Sequence, residues 1–331
     1  MGIQRGSSVT IRQDLTDMAE EINFDELKLV GDRIAMTTNV DEVSGYYPVL
    51  SRESRMKVMD TRRHADGSYA RSQWEWDDDS YITREHGFEE PIDNVNALKD
   101  AKYISHEETS MQLATEGMML GRESRVAEAL FNTTVWSGKT TSITNEWDDP
   151  INATPWAVVN TAAKAIRGVC GASKSALSLI LSDDLIEYVM LTDEIKNGFK
   201  YSGSYTEIVR GTIEVKAGYL ASYLGVKEVI PTQAIYDTAK LASAASIGKF
   251  WTNDYAFLGK LVSAEGLKAQ GVIKQLNWSS YSSNYILESY EEPTYNRNII
   301  RAREFRGTKV NTDYGHLLTN MKTTVDGTTG I

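Results

Sequence analysis

The chain has 331 residues, of which 41% are hydrophobic and 24% are charged, and its formal net charge is −11. These values are typical of a soluble globular protein with one large or two ordinary domains. The negative charge argues against tight nucleic-acid binding, which needs clustered cations. The single cysteine, Cys170, excludes an intrachain disulfide. No apolar run is long enough to cross a membrane.

The first 46 residues are polar and weakly periodic, and we expect them to form an N-terminal arm. Residues 47–93 are predicted to form a long β-hairpin that leaves the body of the protein and returns. Apolar residues recur in it at a period of two, as in strands, at Met56, Val58, Trp74 and Trp76. Asp66-Gly67 lies at its centre and predicts a tight turn, because glycine tolerates positive φ.

The charges of this hairpin are segregated along the chain. The outward arm and the tip carry the cations Arg52, Arg55, Lys57, Arg62, Arg63 and Arg71. The return carries the anions Glu75, Asp77, Asp78, Asp79, Glu85, Glu89 and Glu90. A two-stranded hairpin is marginally stable alone, so we expect it to lie on another surface. Its separated charges would let one copy of the chain complement a neighbouring copy.

A long helix is predicted from about residue 106 to 131, with Ser105 as its N-cap. Residues at helical spacing predict one buried stripe, formed by Leu113, Gly117, Leu120, Ser124, Ala127 and Phe131. A single helix of this length in a chain of this size would act as a spine.

A compact α/β pattern follows from Pro155. It predicts a helix that ends before Gly171, a buried strand in "ALSLILS", one helix over residues 183–199 capped by Ser182, and a helix that stops at Gly225. A further strand carries Pro231 and is therefore expected at a sheet edge. The last eighty residues predict antiparallel strands with turns at Gly266, Gly307 and Gly315. The predicted fold class is α+β.

Catalytic motifs are absent from the sequence: it has no phosphate-binding glycine loop and no nucleophile elbow. One enzymatic hypothesis remains open, a metal-dependent enzyme that uses the acidic stretch 75–90 and is centred on Asp77, Asp78, His86 and Glu89. Consecutive strand residues point to opposite faces, however, so the three aspartates cannot converge on one ion. We therefore predict no catalytic, cofactor-binding or metal-binding residue.

The order of these parts resembles the major capsid proteins of tailed bacteriophages, which share the Hong Kong phage capsid fold. "DSYITREHGFEEPIDN" (79–94) resembles the end of the family's extended loop, and "ATEGMMLGRESRVAEALFN" (114–132) resembles the end of its spine helix. "WDDP" (147–150), "ALSLILSDDLIEYVMLTDEIKN" (176–197) and "YLASYLGVKEVIPTQAIYD" (219–237) are similar to its axial domain. "IIRAREFRGTKVNTDYGHLLTNM" resembles the closing strands of its peripheral domain. The resemblance covers roughly residues 47–322.

The resemblance implies a division of the chain into five parts. These are an N-terminal arm (1–46), an extended loop (47–93), a peripheral domain with the spine helix (94–150), an axial domain (151–260), and a return to the peripheral strands with a C-terminal tail (261–331). In this family the extended loop lies over an adjacent subunit. The expected inter-subunit residues are therefore Arg52, Arg55, Lys57, Arg62, Arg63, Arg71, Trp74, Trp76, Asp77, Asp78 and Asp79.

The resemblance implies that the chain is a coat protein without enzymatic activity or cofactor. It would assemble as hexamers and pentamers into the icosahedral head of a virion, in the host cytoplasm, around double-stranded DNA that it does not read by sequence. The candidate partners are other copies of itself, a separate scaffolding protein, a portal and decoration proteins. No interaction with a membrane is expected. An alternative with the same fold is an encapsulin-like compartment that encloses cargo enzymes.

Overall fold

The structure is a computed structural model that describes residues 10–21, 27–50, 58, 61–63, 67, 76–100, 102, 105–199, 205–239, 243–264, 266–281 and 285–323. Within these residues no helix combines the length and the apolar character needed to cross a membrane.

The helices are α1 (Gln13–Glu21), α2 (Gly31–Ile34), α3 (Asn94–Asp100), α4 (His106–Leu130), α5 (Pro155–Cys170), α6 (Asp183–Met190), α7 (Asp193–Phe199), α8 (Tyr205–Arg210) and α9 (Ile213–Leu224). The strands are β1 (Thr10–Ile11), β2 (Thr37–Val40), β3 (Ser44–Leu50), β4 (Trp76–Ile82), β5 (Arg84–Asp93), β6 (Thr140–Ser142), β7 (Ser178–Ser182), β8 (Glu228–Thr232), β9 (Ile235–Asp237), β10 (Ile247–Lys249), β11 (Tyr255–Gly259), β12 (Ile273–Trp278), β13 (Ile286–Glu292), β14 (Arg297–Val310) and β15 (Gly315–Thr319).

The first sheet has six strands and is built around the long strand β14. β5 pairs antiparallel with β14, as do β13 and β12, and β1 and β2 extend the sheet beyond them. Helix α4 packs against β14 and β5. A core that includes Met111, Met118, Leu287 and Ile300 lies between helix and sheet. Helix α4 is therefore the spine of this half of the molecule.

Helix α4 begins and ends close to the predicted residues, but its buried face differs from the predicted stripe. The Ser105 hydroxyl accepts a hydrogen bond from the Glu108 amide at 3.4 Å, as a capping residue should. Leu113, predicted to be buried, is 46% exposed. The buried face is formed instead by Ser110, Met111, Ala114, Thr115, Met118, Arg122, Glu123, Val126, Ala127 and Leu130. The prediction failed because Arg122 and Glu123 are buried charges, which a hydrophobic pattern assigns to solvent.

The second sheet has the strand order β6-β15-β11-β7-β8, with α5, α6 and α9 packed around it. The interior strand β7 is buried throughout, as predicted, and β8 with Pro231 lies at the sheet edge. Gly171 and Gly225 end helices α5 and α9 in the left-handed conformation, with φ of 74° and 68°. Residues 183–199 form two helices rather than the predicted single one.

Three parts of the chain lie elsewhere than expected. β6 and β15 belong to the second sheet, although residues 94–150 and 261–331 were assigned to the peripheral half. Gly307, predicted to be a turn, lies inside β14 opposite Leu276. The hairpin is shorter than residues 47–93, because Arg84–Asp93 pairs along ten residues with β14. Each difference arises from strand pairing between distant segments, which local patterns do not encode.

Candidate assembly interface

The hairpin stem, defined here as strands β3 and β4, emerges where the chain leaves the first sheet. The two strands pair antiparallel from Ser44 opposite Ile82 to Leu50 opposite Trp76. Thr83 closes the base of the stem, since its amide and its hydroxyl both donate to the Val43 carbonyl, at 2.8 and 2.9 Å. The base of the stem is therefore fixed by backbone and side-chain hydrogen bonds.

One face of the stem rests on the body of the protein. Tyr47 on this face is only 7% exposed, and its hydroxyl donates to Asp79 Oδ2 at 2.9 Å. Lys309, at the end of β14, donates to Asp79 Oδ1 at 2.5 Å and to the Ser80 carbonyl at 2.8 Å. Burial acts to raise the pKa of Asp79, but the hydrogen bonds from Lys309 and Tyr47 outweigh it and hold that pKa below its ordinary value. Asp79 is thus an ionised anchor that fixes the direction of the stem.

The stem also crosses β14 at a position where a side chain is excluded. A Cβ placed on Gly307 would lie 2.2 Å from the Ile82 carbonyl oxygen. An isolated glycine within a strand often marks such a close backbone approach. Gly307 and Lys309 together hold the stem against the end of β14.

The opposite face of the stem is exposed and carries large apolar side chains. Alternate residues share a face of a strand pair, which places Tyr46, Trp76 and Ile82 on this side. Their exposed fractions are 82%, 57% and 57%. An exposed row of aromatic and aliphatic groups on a two-stranded stem is typical of a protein–protein contact.

The predicted inter-subunit residues divide into three groups. Arg52, Arg55, Lys57, Arg71 and Trp74 lie outside the described residues. Arg62 and Arg63 are exposed. On β4, Trp76, Asp77 and Asp78 are exposed, whereas Asp79 is engaged by Lys309. No ion pair of Asp77 or Asp78 forms within the described part of the chain, so their carboxylates remain available to another molecule.

The residues of the metal hypothesis are not brought together. Asp77 and Asp78 lie on the stem, whereas His86 and Glu89 lie on β5 opposite Glu304 and Arg301. Glu89 accepts hydrogen bonds from the Tyr290 hydroxyl at 3.1 Å and from Arg301 at 3.4 Å. Across the described ranges no group of three histidine, cysteine, aspartate or glutamate side chains could hold a metal ion.

Sequence reasoning missed the anchoring residues of the stem. Lys309 lies 230 positions from Asp79, and no local pattern connects them. Glu85 and Glu89 were counted among the anions of the return arm that could complement a neighbouring copy, whereas they pair with Arg303 and Arg301 of their own sheet. The isolated Gly307 within "EFRGTKV" was the one local signal of the crossing, since a glycine inside a strand pattern indicates close backbone approach.

Lys309→Met is expected to loosen the stem without unfolding the body. Loss of the ammonium removes a charge-assisted, partly exposed hydrogen bond worth about 1 kcal/mol. Hydrogen exchange at the Thr83 amide and the β3–β4 amides should accelerate several-fold, while the thermal midpoint changes little. Lys139→Met is the matched control, because Lys139 makes a similar ion pair with Asp313, at 2.5 Å, away from the stem. Equal exchange rates in both variants would contradict the anchor.

Architecture and stem together define a class: the chain has the Hong Kong phage capsid fold, the fold of phage shell proteins. The predicted α+β class and the predicted fold are confirmed. A phage-related protein from Bordetella bronchiseptica RB50 is similar with a TM-score of 0.66 at 17% identity, over 95% of this chain and 98% of that chain.

Two phage structures are similar over most of their length. A chain in the capsid structure of cyanophage P-SCSP1u has a TM-score of 0.55 at 10% identity, over 86% of each chain. A chain of Mycobacterium phage Che8 has a TM-score of 0.52 at 10% identity, over 98% of this chain and 96% of that chain. No protein-family model matches the chain, and no curated protein matches it at a significant level. At these identities the likeness establishes the fold.

Proposed function

We propose that this chain is the coat protein of a phage head, a structural subunit without enzymatic activity. The observation that carries the proposal is the near-complete coverage of the fold match, which includes a chain described as part of a phage capsid. An enzyme domain grafted onto the shell fold would leave a substantial part of the chain unmatched.

The geometry of the stem supports the proposal. Tyr46, Trp76 and Ile82 expose an apolar row, and the exposed Asp78 lies on the same face of the stem. A monomeric protein gains nothing from such a row, whereas a shell subunit can bury it against a neighbouring copy. Aromatic residues dominate the energy of such contacts. Residues 47–93 are therefore proposed to engage an adjacent subunit.

The proposal extends to the finer arrangement of the shell. The copies are proposed to form hexamers and pentamers of an icosahedral virion head around double-stranded DNA, with a separate scaffolding protein, a portal and decoration proteins as partners. The net charge of −11 supports a lining that repels DNA, which would let the genome slide during packaging. Assembly would occur in the host cytoplasm.

Purified protein is expected to form closed polyhedral particles, tubes or capsomer rings in negative-stain electron microscopy. Light scattering of the same sample should give a mass many times 36.9 kDa. A chain that stays a monomer at every protein and salt concentration, and also in the presence of the proposed scaffolding protein, contradicts the proposal.

Trp74→Ala/Trp76→Ala should abolish these particles, because it removes two aromatic side chains of the extended loop. The folded state should persist, as judged by circular dichroism, since Trp76 is 57% exposed. Trp156→Ala is the control, because Trp156 is 45% exposed on α5, outside the loop, and we expect its particles to be normal. Normal particles from the double variant would mean that the extended loop does not contribute to assembly.

A further inference from the structure

Strands β4 and β5 follow each other with only Thr83 between them, and their even-numbered residues form one row of side chains. Alternate residues of a strand share a face, so the row continues from the stem onto the first sheet. Ile82 and Arg84 both line an open cleft of about 450 Å³ that α4 also borders, called here the α4 cleft. Further along the row, Phe88 lies against Gly117 of α4. The row therefore runs from the stem along the flank of the spine helix.

The exposed members of this row are apolar at three positions and charged at two. Trp76 and Ile82 are each 57% exposed, and Phe88 is 42% exposed. Asp78 and Arg84 lie between these apolar side chains, and both are exposed. Neither charged side chain forms an ion pair within the described part of the chain. The row therefore offers apolar area and two opposite charges that the chain itself leaves unpaired.

The row contains one spacing twice, with opposite charge. Trp76, Asp78 and Ile82 place a carboxylate two residues after one apolar side chain and four residues before the next. Ile82, Arg84 and Phe88 repeat this spacing with a guanidinium group in place of the carboxylate. Because the rise per strand residue is constant, two parallel rows shifted by six residues, roughly 20 Å, would match throughout. Apolar side chains would meet apolar ones, and Asp78 would meet Arg84.

An antiparallel, two-fold arrangement of the same rows fits less well. If Asp78 and Arg84 paired in both directions, Trp76 would face His86 and Ile82 would face Ser80. Apolar side chains would then lie against polar groups. The parallel shift is instead a head-to-tail contact, which closes into a ring when the rotation between copies permits it.

The α4 cleft has a cation available for such a contact. Arg125 lines the cleft but is paired with Glu304 at 2.7 Å. Arg306 also lines it but is buried and donates to the Gln275 side chain. Arg84 is exposed and has no such partner among the described residues. A carboxylate that enters the cleft therefore meets a guanidinium group that is free to pair.

We propose that the α4 cleft is the docking site for the stem of an adjacent copy, with Asp78 of one copy paired with Arg84 of the next. This inference rests on the proposed shell function and names the surface that receives the stem. The apolar side chains of the row would supply most of the affinity. The charge pair would fix the register, because a slip by two residues sets Asp78 against Ile82 or His86.

Exchange of the two charges tests the docking site. In the electron-microscopy assay, with scaffolding protein present, Asp78→Arg alone and Arg84→Asp alone should each lower the particle yield by about tenfold or more, because like charges then face each other. The combined variant re-forms the pair in reverse and should recover the wild-type yield to within about twofold. Both positions are exposed, so circular dichroism should show folded protein in all three variants.

Glu128→Gln is the matched control within the α4 cleft. Glu128 is an exposed acid of the lining that accepts a hydrogen bond from the Ser124 hydroxyl at 2.8 Å, and it lies outside the row. Its neutralisation should leave the particle yield unchanged.

Two results would overturn the docking site while the shell function stands. One is a normal yield of particles from either single variant, and the other is a combined variant that folds but does not recover. Absence of wild-type particles, even with scaffolding protein, would instead overturn the shell function and this inference with it.

Discussion

Gly307→Ala is expected to lower the free energy of unfolding by about 3 kcal/mol, the upper end of the range for overpacked interiors. The added Cβ would lie 2.2 Å from the Ile82 carbonyl oxygen. That oxygen belongs to the backbone of β4, so rotation of a side chain cannot relieve the contact. Strands β4 and β14 must separate, and the hydrogen bond from Lys309 to Asp79 would be strained or lost. Urea denaturation of the purified chain measures the loss.

A second glycine provides the matched control for this prediction. Gly168 lies within α5, and a Cβ placed there meets nothing within 4 Å. Gly168→Ala is therefore expected to stabilise the chain by about 0.5–1 kcal/mol, because alanine has the higher helix propensity. Similar losses from both substitutions would contradict a specific crossing at Gly307.

Features that depend on a few adjacent residues were predictable from the sequence. Ser105 and Ser182 accept amide hydrogen bonds at the starts of α4 and α6, and Gly171 and Gly225 end their helices in the left-handed conformation. Each of these caps requires a residue type at one fixed offset from the helix. The sequence therefore specifies them without knowledge of the tertiary fold.

The break between α6 and α7 illustrates what a local pattern omits. Residues 183–199 have a continuous helical pattern, but the Asp193 amide donates to the Pro150 carbonyl at 2.7 Å instead of to its own helix. Thr192 is fully buried, and its hydroxyl turns back to the Val189 carbonyl at 2.8 Å. A carbonyl more than forty residues away thus decides where the helix ends.

The spine helix shows the same limit for burial. Glu123 is 1% exposed and accepts hydrogen bonds from Trp251 Nε1 at 2.6 Å and from the Gly31 amide at 2.6 Å. Its donors come from segments more than ninety residues away on either side. A carboxylate becomes a core residue only when such donors surround it, and a helical pattern cannot supply that information.

The candidate interface also combines features set by local sequence with features set by distant contacts. The hairpin and its aromatic return, including Trp76, follow from period-two alternation and a turn signal. The anchor formed by Asp79, Tyr47 and Lys309 depends on how the stem meets the end of β14. The exposed face therefore follows from local pattern, whereas its direction relative to the body follows from distant contacts.

Glu304→Gln is expected to destabilise the chain by about 3–5 kcal/mol, the cost of leaving buried cations without their counter-charge. Glu304 is fully buried and forms ion pairs with Arg122, Arg125 and Arg306. The glutamine amide that replaces it has one oxygen and carries no charge. The network joins α4 to β14, so its loss should lower the midpoint of the single cooperative unfolding transition. Glu291→Gln is the control, because Glu291 is exposed on β13 of the same sheet, and it should change stability little.

A double-mutant cycle separates the charge from the packing. Arg125→Gln added to Glu304→Gln removes one of the cations that Glu304 had balanced, so the double variant should be less destabilised than the sum of the two single variants. A coupling of about 1 kcal/mol or more in denaturant midpoints is expected for groups in direct contact. Strictly additive losses of stability would mean that solvent, rather than Glu304, neutralises the charge of Arg125. In that case Arg122 would be the residue of the spine helix whose charge is balanced by Glu304 of the sheet.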